Sequence, residues 1–117
     1  MDSINDPETE WQRRGQMALA SAVQSRNMIT YAELADTAAL PGPQRIHQLT
    51  MWLEDLMRHD HHAGNALRAA VVISRNRAGL PAPGFFILCR NLGIYNGPDQ
   101  GDDAALFHRD MLARLFS

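Results

Sequence analysis

MITYAELADTAALPGPQRIHQLT, residues 28–50, decides how this chain folds. Thr30-Tyr31-Ala32-Glu33 fits a capping box, in which the Thr30 hydroxyl accepts from the Glu33 amide and Glu33 reaches back. A short helix follows, with Leu34, Ala35 and Ala38 inward. The LPGP at 40–43 stops it. Pro43 then opens a longer helix, because its missing N–H costs nothing in a first turn. Ile46, Leu49, Leu53, Leu56 and Met57 make a buried stripe to about Arg58, with Trp52 at its border. The outer face offers Gln44, Arg45, His47, Gln48, Met51, Asp55 and Arg58. A tyrosine opening one helix and an arginine early in the next are common where a helix pair meets DNA.

On the N-terminal side, Asp6-Pro7 followed by Glu8 and Glu10 predicts a helix start. The helix runs to about Arg26, with Trp11, Gly15, Ala18, Leu19, Ala22 and Val23 on one side. The small residues there let another element approach closely. On the C-terminal side, HDHHAGN reads as a turn and LRAAVVIS (67–74) as a strand. RNRAGLPAPG reads as a rigid loop held by two prolines and two glycines. FFILCRNLGIY fits a helical face through Phe85, Leu88, Cys89 and Leu92, and its unbroken apolar run also fits a strand; we favour helix, with Gly93 as its stop. Asp102 or Asp103 caps a last helix to about Phe116, with Leu106, Phe107, Met111 and Leu115 inward. The expected fold is a mostly helical α+β domain, winged-helix-like and single over residues 1–117, with residues 1–6 flexible. In it the helix from Pro43 takes the recognition position, packed across a small sheet containing Ala69–Ile73, and loop 75–84 takes the place of the wing.

Composition sets bounds without choosing a function. The 117 residues fit one domain of about 100–150 residues. Apolar residues make up 45% and charged residues 21%, an ordinary globular balance, so scattered surface arginines need no special explanation. The net charge of −2 neither recruits nor excludes polyanions. Cys89 is the one cysteine, so no internal disulfide forms, and a reducing cytoplasm is the expected compartment. The polar, acidic start argues against a secretory signal, and no window approaches the roughly 18 apolar residues that cross a bilayer. No lysine is present: all eleven basic residues are arginine, so any anion contact is planar and often bidentate.

From about Ala18 to Ser74 the layout resembles the C-terminal domain of the alkylguanine-DNA alkyltransferases and alkyltransferase-like proteins. Ile29, Thr30, Tyr31, Glu33, Leu34 and Ala35 match that family's Ile/Thr-Tyr-Gly-Glu-Leu-Ala motif, with Ala32 in place of the usual glycine. The resemblance implies that Arg45 is the arginine that enters the DNA stack beside a flipped nucleotide. It likewise implies that Tyr31 helps turn the target phosphate. It breaks at the chemistry. Where the family has Pro-Cys-His-Arg before a Val-Val strand, this chain has Leu67, Arg68, Ala69 and Ala70, so alkyl transfer lacks its thiolate acceptor. LRAAVVISRNRAGLPAPGFF also resembles a broader set of small, poorly characterised bacterial proteins. A ribose-phosphate pyrophosphokinase role, a label some of those carry, lacks its phosphoribosyl loop here.

No catalytic constellation is expected. Candidate nucleic-acid contacts are Tyr31, Gln44, Arg45, Gln48, Arg68, Arg75 and Arg77. Candidate ligand-loop residues are Gly79, Pro81, Pro83, Gly84 and Phe85. His59, Asp60, His61 and His62 do not make a metal site, since adjacent histidines point different ways and no i,i+4 pair or cysteine completes one; His108 with Asp110 reads the same way. Cys89 is core filler rather than a nucleophile. No Gly-rich phosphate cradle is present, since GLPAPG lacks the spacing and the flanking lysine, and no cofactor is expected. The favoured reading is a non-enzymatic module recognising a protein or small ligand, away from membranes. The alternative is weak binding to duplex DNA.

Overall fold

A computed structural model describes residues 9–117. The expected Asp6 cap, Pro7 start and flexible residues 1–6 lie outside the described residues. The elements run α1 (Glu10–Ser25), β1 (Ile29–Thr30), α2 (Tyr31–Ala38), α3 (Arg45–His62), a 3-10 helix (Arg68–Val71), β2 (Val72–Ile73), α4 (Pro83–Asn91) and α5 (Asp102–Leu115). The chain is thus mostly helical α+β. Its two strands pair in parallel, Ile29 against Val72 and Thr30 against Ile73.

Capping fixes the first two helices. Thr9 caps α1 through a box with Gln12, so that helix starts at Glu10. The box expected at α2 is complete: Glu33 N–H donates to Thr30 Oγ1 at 3.1 Å, and Thr30 N–H to Glu33 Oε1 at 2.9 Å. Residue 39, just past α2, sits in the left-handed region at φ 55° and is an alanine.

Several boundaries correct the sequence reading. α3 begins at Arg45 rather than Pro43, after a turn that includes Pro43 and Gln44, and it runs on through His59–His62, which were expected as a turn. The predicted strand 67–74 is a 3-10 helix followed by two strand residues, because the ladder on β1 reaches only Val72 and Ile73. α4 resolves the ambiguous segment as a helix, with Gly93 in the left-handed region just past its end. At α5 the N-cap is Gly101 with no side-chain bond; Asp102 and Asp103 instead occupy the first turn, where acids favour the helix dipole.

One hydrophobic core joins the elements, with Leu19, Leu34, Leu49, Val71, Val72 and Phe86 fully enclosed. The expected close approach along α1 is made by Trp52. A Cβ placed on Gly15 would lie 2.7 Å from Trp52 Cη2, so the indole packs where only glycine leaves room. Trp52 is therefore core, not border, and meets Trp11 edge to face at 5.5 Å between ring centroids. Two residues expected inward are exposed: Ile46 at 43% and Leu106 at 49%. Ile46 lies in the first turn of α3, past the edge of the core, and Leu106 lies on the outward face of α5. The positions around Leu106 are filled by Ala104 and His108 instead.

The segment expected as the wing closes on itself. Ser74 N–H donates to Leu80 O at 2.9 Å, and Leu80 N–H to Arg77 O at 3.0 Å. Ala78 and Gly79 both have positive φ, which lets this tight turn form without a second strand. Leu80 and Pro81 are then buried, and the chain enters α4.

Candidate functional site

The capped start of α2, the first half of α3 and the end of β2 surround an open groove of about 300 Å³. Tyr31, Ile46, Thr50, Ile73 and Ala82 form much of its wall, and Arg75 stands among them. The capping box turns the α2 backbone so that Tyr31 points towards the loop before α4. There its hydroxyl accepts from Ala82 N–H at 3.0 Å, closing a contact between residues 51 apart. Burial pushes the Tyr31 phenol above its usual range, against the Ala82 N–H and the Arg77 guanidinium, while Glu54 adds to the rise. The phenol is thus a neutral, tethered wall of the groove.

Thr50 Oγ1 donates back to Ile46 O at 2.9 Å, which satisfies its hydroxyl inside α3 and leaves its methyl to the groove. Outside the groove, in the first turn of α2, Glu33 is held below its ordinary carboxyl value by the Thr30 N–H first and the Thr30 hydroxyl second; Arg75 adds a smaller pull. No family model, no curated protein and no solved structure matches this chain.

The four candidate arginines do not share one face. Arg45 pairs with Asp36 of α2. Arg68 pairs with Asp60 at the other end of α3, roughly 22 Å from Arg45 at 1.5 Å per residue. Arg77 donates through Nε to Pro81 O at 2.8 Å and through Nη2 to Asp99 O, stapling the turn to the loop before α5. Arg75 alone of the four has no hydrogen bond or ion pair among the described residues. Gln44 and Gln48 are exposed on α3.

In the candidate ligand loop, Gly79 makes the turn, Pro81 and Phe85 are buried, and Pro83 is exposed at the first position of α4. A Cβ at Gly84 would stand 3.2 Å from Glu54 Oε2, so α3 and α4 approach closely there. Of the candidates only Pro81 and Phe85 join the core, and their neighbour Ala82 lines the groove. Cys89 is buried in α4, and that burial pushes its thiol up to about 12, well away from a thiolate nucleophile. Among the described residues no group of three or more His, Cys, Asp or Glu comes together to hold a metal. No helix among them is long and apolar enough to cross a membrane.

Sequence reading missed Ile46, Thr50, Ile73 and Ala82 as lining residues. One signal for Ile46 lay in its place: an apolar residue in the first turn after Pro-Gly-Pro, beyond the reach of a core centred on Leu49 and Leu53.

Proposed function

We propose that the protein is a non-enzymatic cytoplasmic binding module of winged-helix type, whose groove beside Tyr31 takes a small, largely apolar ligand with one anionic end. The observation that supports this most is the lining: exposed Ile46 and half-buried Ile73 and Ala82 beside Arg75, the one charged lining residue, whose guanidinium makes no hydrogen bond or ion pair among the described residues and interacts only at longer range with the exposed Glu33 carboxylate. A volume near 300 Å³ stands at the lower end of small-molecule sites, about 300–1,000 Å³. The neutral Tyr31 phenol keeps an acceptor-only charge from facing the anion. Amide NMR titration with short aliphatic and aromatic carboxylates tests the reading. Shifts are expected at Thr30–Ala32 and Ile73–Arg75, and Arg75→Ala is expected to weaken binding about tenfold, the scale of one charge-assisted hydrogen bond. Shifts elsewhere, or none, reject it.

A second reading, weak duplex-DNA binding of the alkyltransferase-like kind through Tyr31 and Arg45, has one observation in its favour. The Arg45–Asp36 pair is open to solvent, at 34% and 70% side-chain exposure, so exchanging the carboxylate for a phosphate costs little. With Arg45 and Arg75 as the phosphate contacts, affinity falls with a log–log salt slope of about −2. Failure to bind plain, mismatched and alkylated duplexes below about 100 μM at low salt removes this reading.

A further inference from the structure

The opposite end of α3 carries a second cleft that owes nothing to the groove beside Tyr31. It measures about 370 Å³ and lies between the end of α3, the start of the 3-10 helix and the last turn of α5. Asp60 is almost fully enclosed. It accepts from Arg68 N–H at 3.0 Å, from Arg68 Nε at 3.0 and 3.1 Å to its two oxygens, and from Nη2 at 2.9 Å. These bonds fix the guanidinium by one edge and leave Nη1 with no bond among the described residues. Arg114, also lining this cleft, has no salt bridge among the described residues. Its side-chain contact is a long one, Nη1 to Met111 Sδ at 3.9 Å.

Two guanidinium groups against one carboxylate leave the cleft with an excess positive charge. The C-terminal ends of α3 and α5 offset part of it through their dipoles, but the carbonyls nearest the cleft are already bonded within the chain. The carbonyls of His59, Asp60 and His61 are taken by Ala63, Asn65 and Gly64, and that of Arg114 by the Ser117 N–H and hydroxyl. Asn65 and Arg114 also form the partition to a neighbouring hollow of about 250 Å³ that contains Leu67, Ile94 and Met111. An oxyanion in the cleft would thus have an apolar compartment next to it.

We propose that this double cleft is a binding site for a phosphate monoester, with the phosphate between Arg68 Nη1 and Arg114 and the organic group over Leu67, Ile94 and Met111. Arg68 is preorganised by Asp60, so little side-chain entropy is lost on binding, and a planar guanidinium matches phosphate oxygens in pairs. Isothermal titration at low ionic strength with phenyl phosphate and with inorganic phosphate tests this. Phenyl phosphate is expected to bind, more tightly than inorganic phosphate, with amide shifts at Asn65–Arg68 and Arg114. Arg114→Ala is expected to weaken it about tenfold or more. Arg109→Ala, on the same helix but paired with Asp110 and outside the cleft, is expected to leave it unchanged. Arg114 is exposed and its one side-chain bond to a buried group is the long one to Met111 Sδ, so its replacement is expected to leave the fold standing; circular dichroism checks that. The proposal is overturned if phenyl phosphate does not bind at millimolar concentration or binds no better than inorganic phosphate. Equal losses in the Arg109 and Arg114 variants overturn it as well. Shifts confined to Thr30–Ala32 and Ile73–Arg75 would assign the ligand to the other groove and also end it.

Discussion

The two ends of α3 use the same chemistry to opposite effect. At the start, half-buried Arg45 meets Asp36 in an open pair whose carboxylate is exposed. At the finish, Arg68 meets Asp60 in a pair whose carboxylate is enclosed and accepts from Arg68 Nε, Nη2 and the backbone N–H. An exposed pair is worth little because water competes for both partners. A buried one has already given up its hydration, so neither partner can be lost cheaply. Burial decides which Asp–Arg pair the fold depends on. The exposed end is free to exchange partners; the buried end holds the 3-10 helix, which also touches α1 and α5.

The largest test of this contrast is Asp60→Ala. It leaves Arg68 half-buried with an uncompensated charge and its backbone N–H unbonded. A loss of about 3–5 kcal/mol is expected from denaturant unfolding. A loss below about 1 kcal/mol would place the two pairs in one class.

Acidification probes the same end through His108. The ring is buried, with Nε2 2.7 Å from Ala70 O in the 3-10 helix and a T-shaped contact to Phe85. Burial holds the imidazole below its ordinary value, and the Ala70 carbonyl opposes that only in part. The folded state therefore binds fewer protons than the unfolded chain. The stability from neutral His108 is complete above the ordinary imidazole value of about 6.5 and is lost as pH falls from there through the lowered folded value. Midpoints of urea unfolding between pH 7.5 and 4.5 are expected to fall, and His108→Gln to flatten that slope.

A smaller effect of opposite sign is expected beside the open end. The turn after α3 already has glycine at its left-handed residue, Gly64, whereas the turn after α2 has Ala39. Ala39→Gly relieves a strain of about 1–2 kcal/mol and adds backbone freedom to the unfolded chain, for a net gain of about 0.5–1 kcal/mol in the melting free energy. The smallest expected effect is Asp36→Ala, within about 0.5 kcal/mol. A larger cost would show the open pair to be structural and would count against its exchange for a phosphate.

The same contrast explains what could be read from sequence. The Thr30–Glu33 box, the α1 face and the stripe from Leu49 to Met57 depend on spacings of three or four residues, and they stand as expected. Leu67–Ile73 did not resolve, because Ala69-Ala70-Val71-Val72 is apolar at every position and periodicity cannot separate a 3-10 turn from a strand. The Asp60–Arg68 pair crosses the turn at the end of α3, and the Tyr31–Ala82 bond joins distant segments. No local pattern encodes either. Reading the chain therefore named Arg45, Arg68, Arg75 and Arg77 alike but could not tell that Arg45, Arg68 and Arg77 each have a partner.

The tryptophan pair has a practical consequence. Trp11 and Trp52 are the only indoles in the chain, and they touch each other where α1 crosses α3. Intrinsic emission excited at the red edge of the absorption band therefore reports one seam of the molecule. Separation of α1 from α3 will change its wavelength and yield, while fraying of α4 and α5 will leave it nearly silent. Stopped-flow traces followed by this signal and by far-ultraviolet ellipticity should then coincide only if the two halves of the chain assemble in a single step.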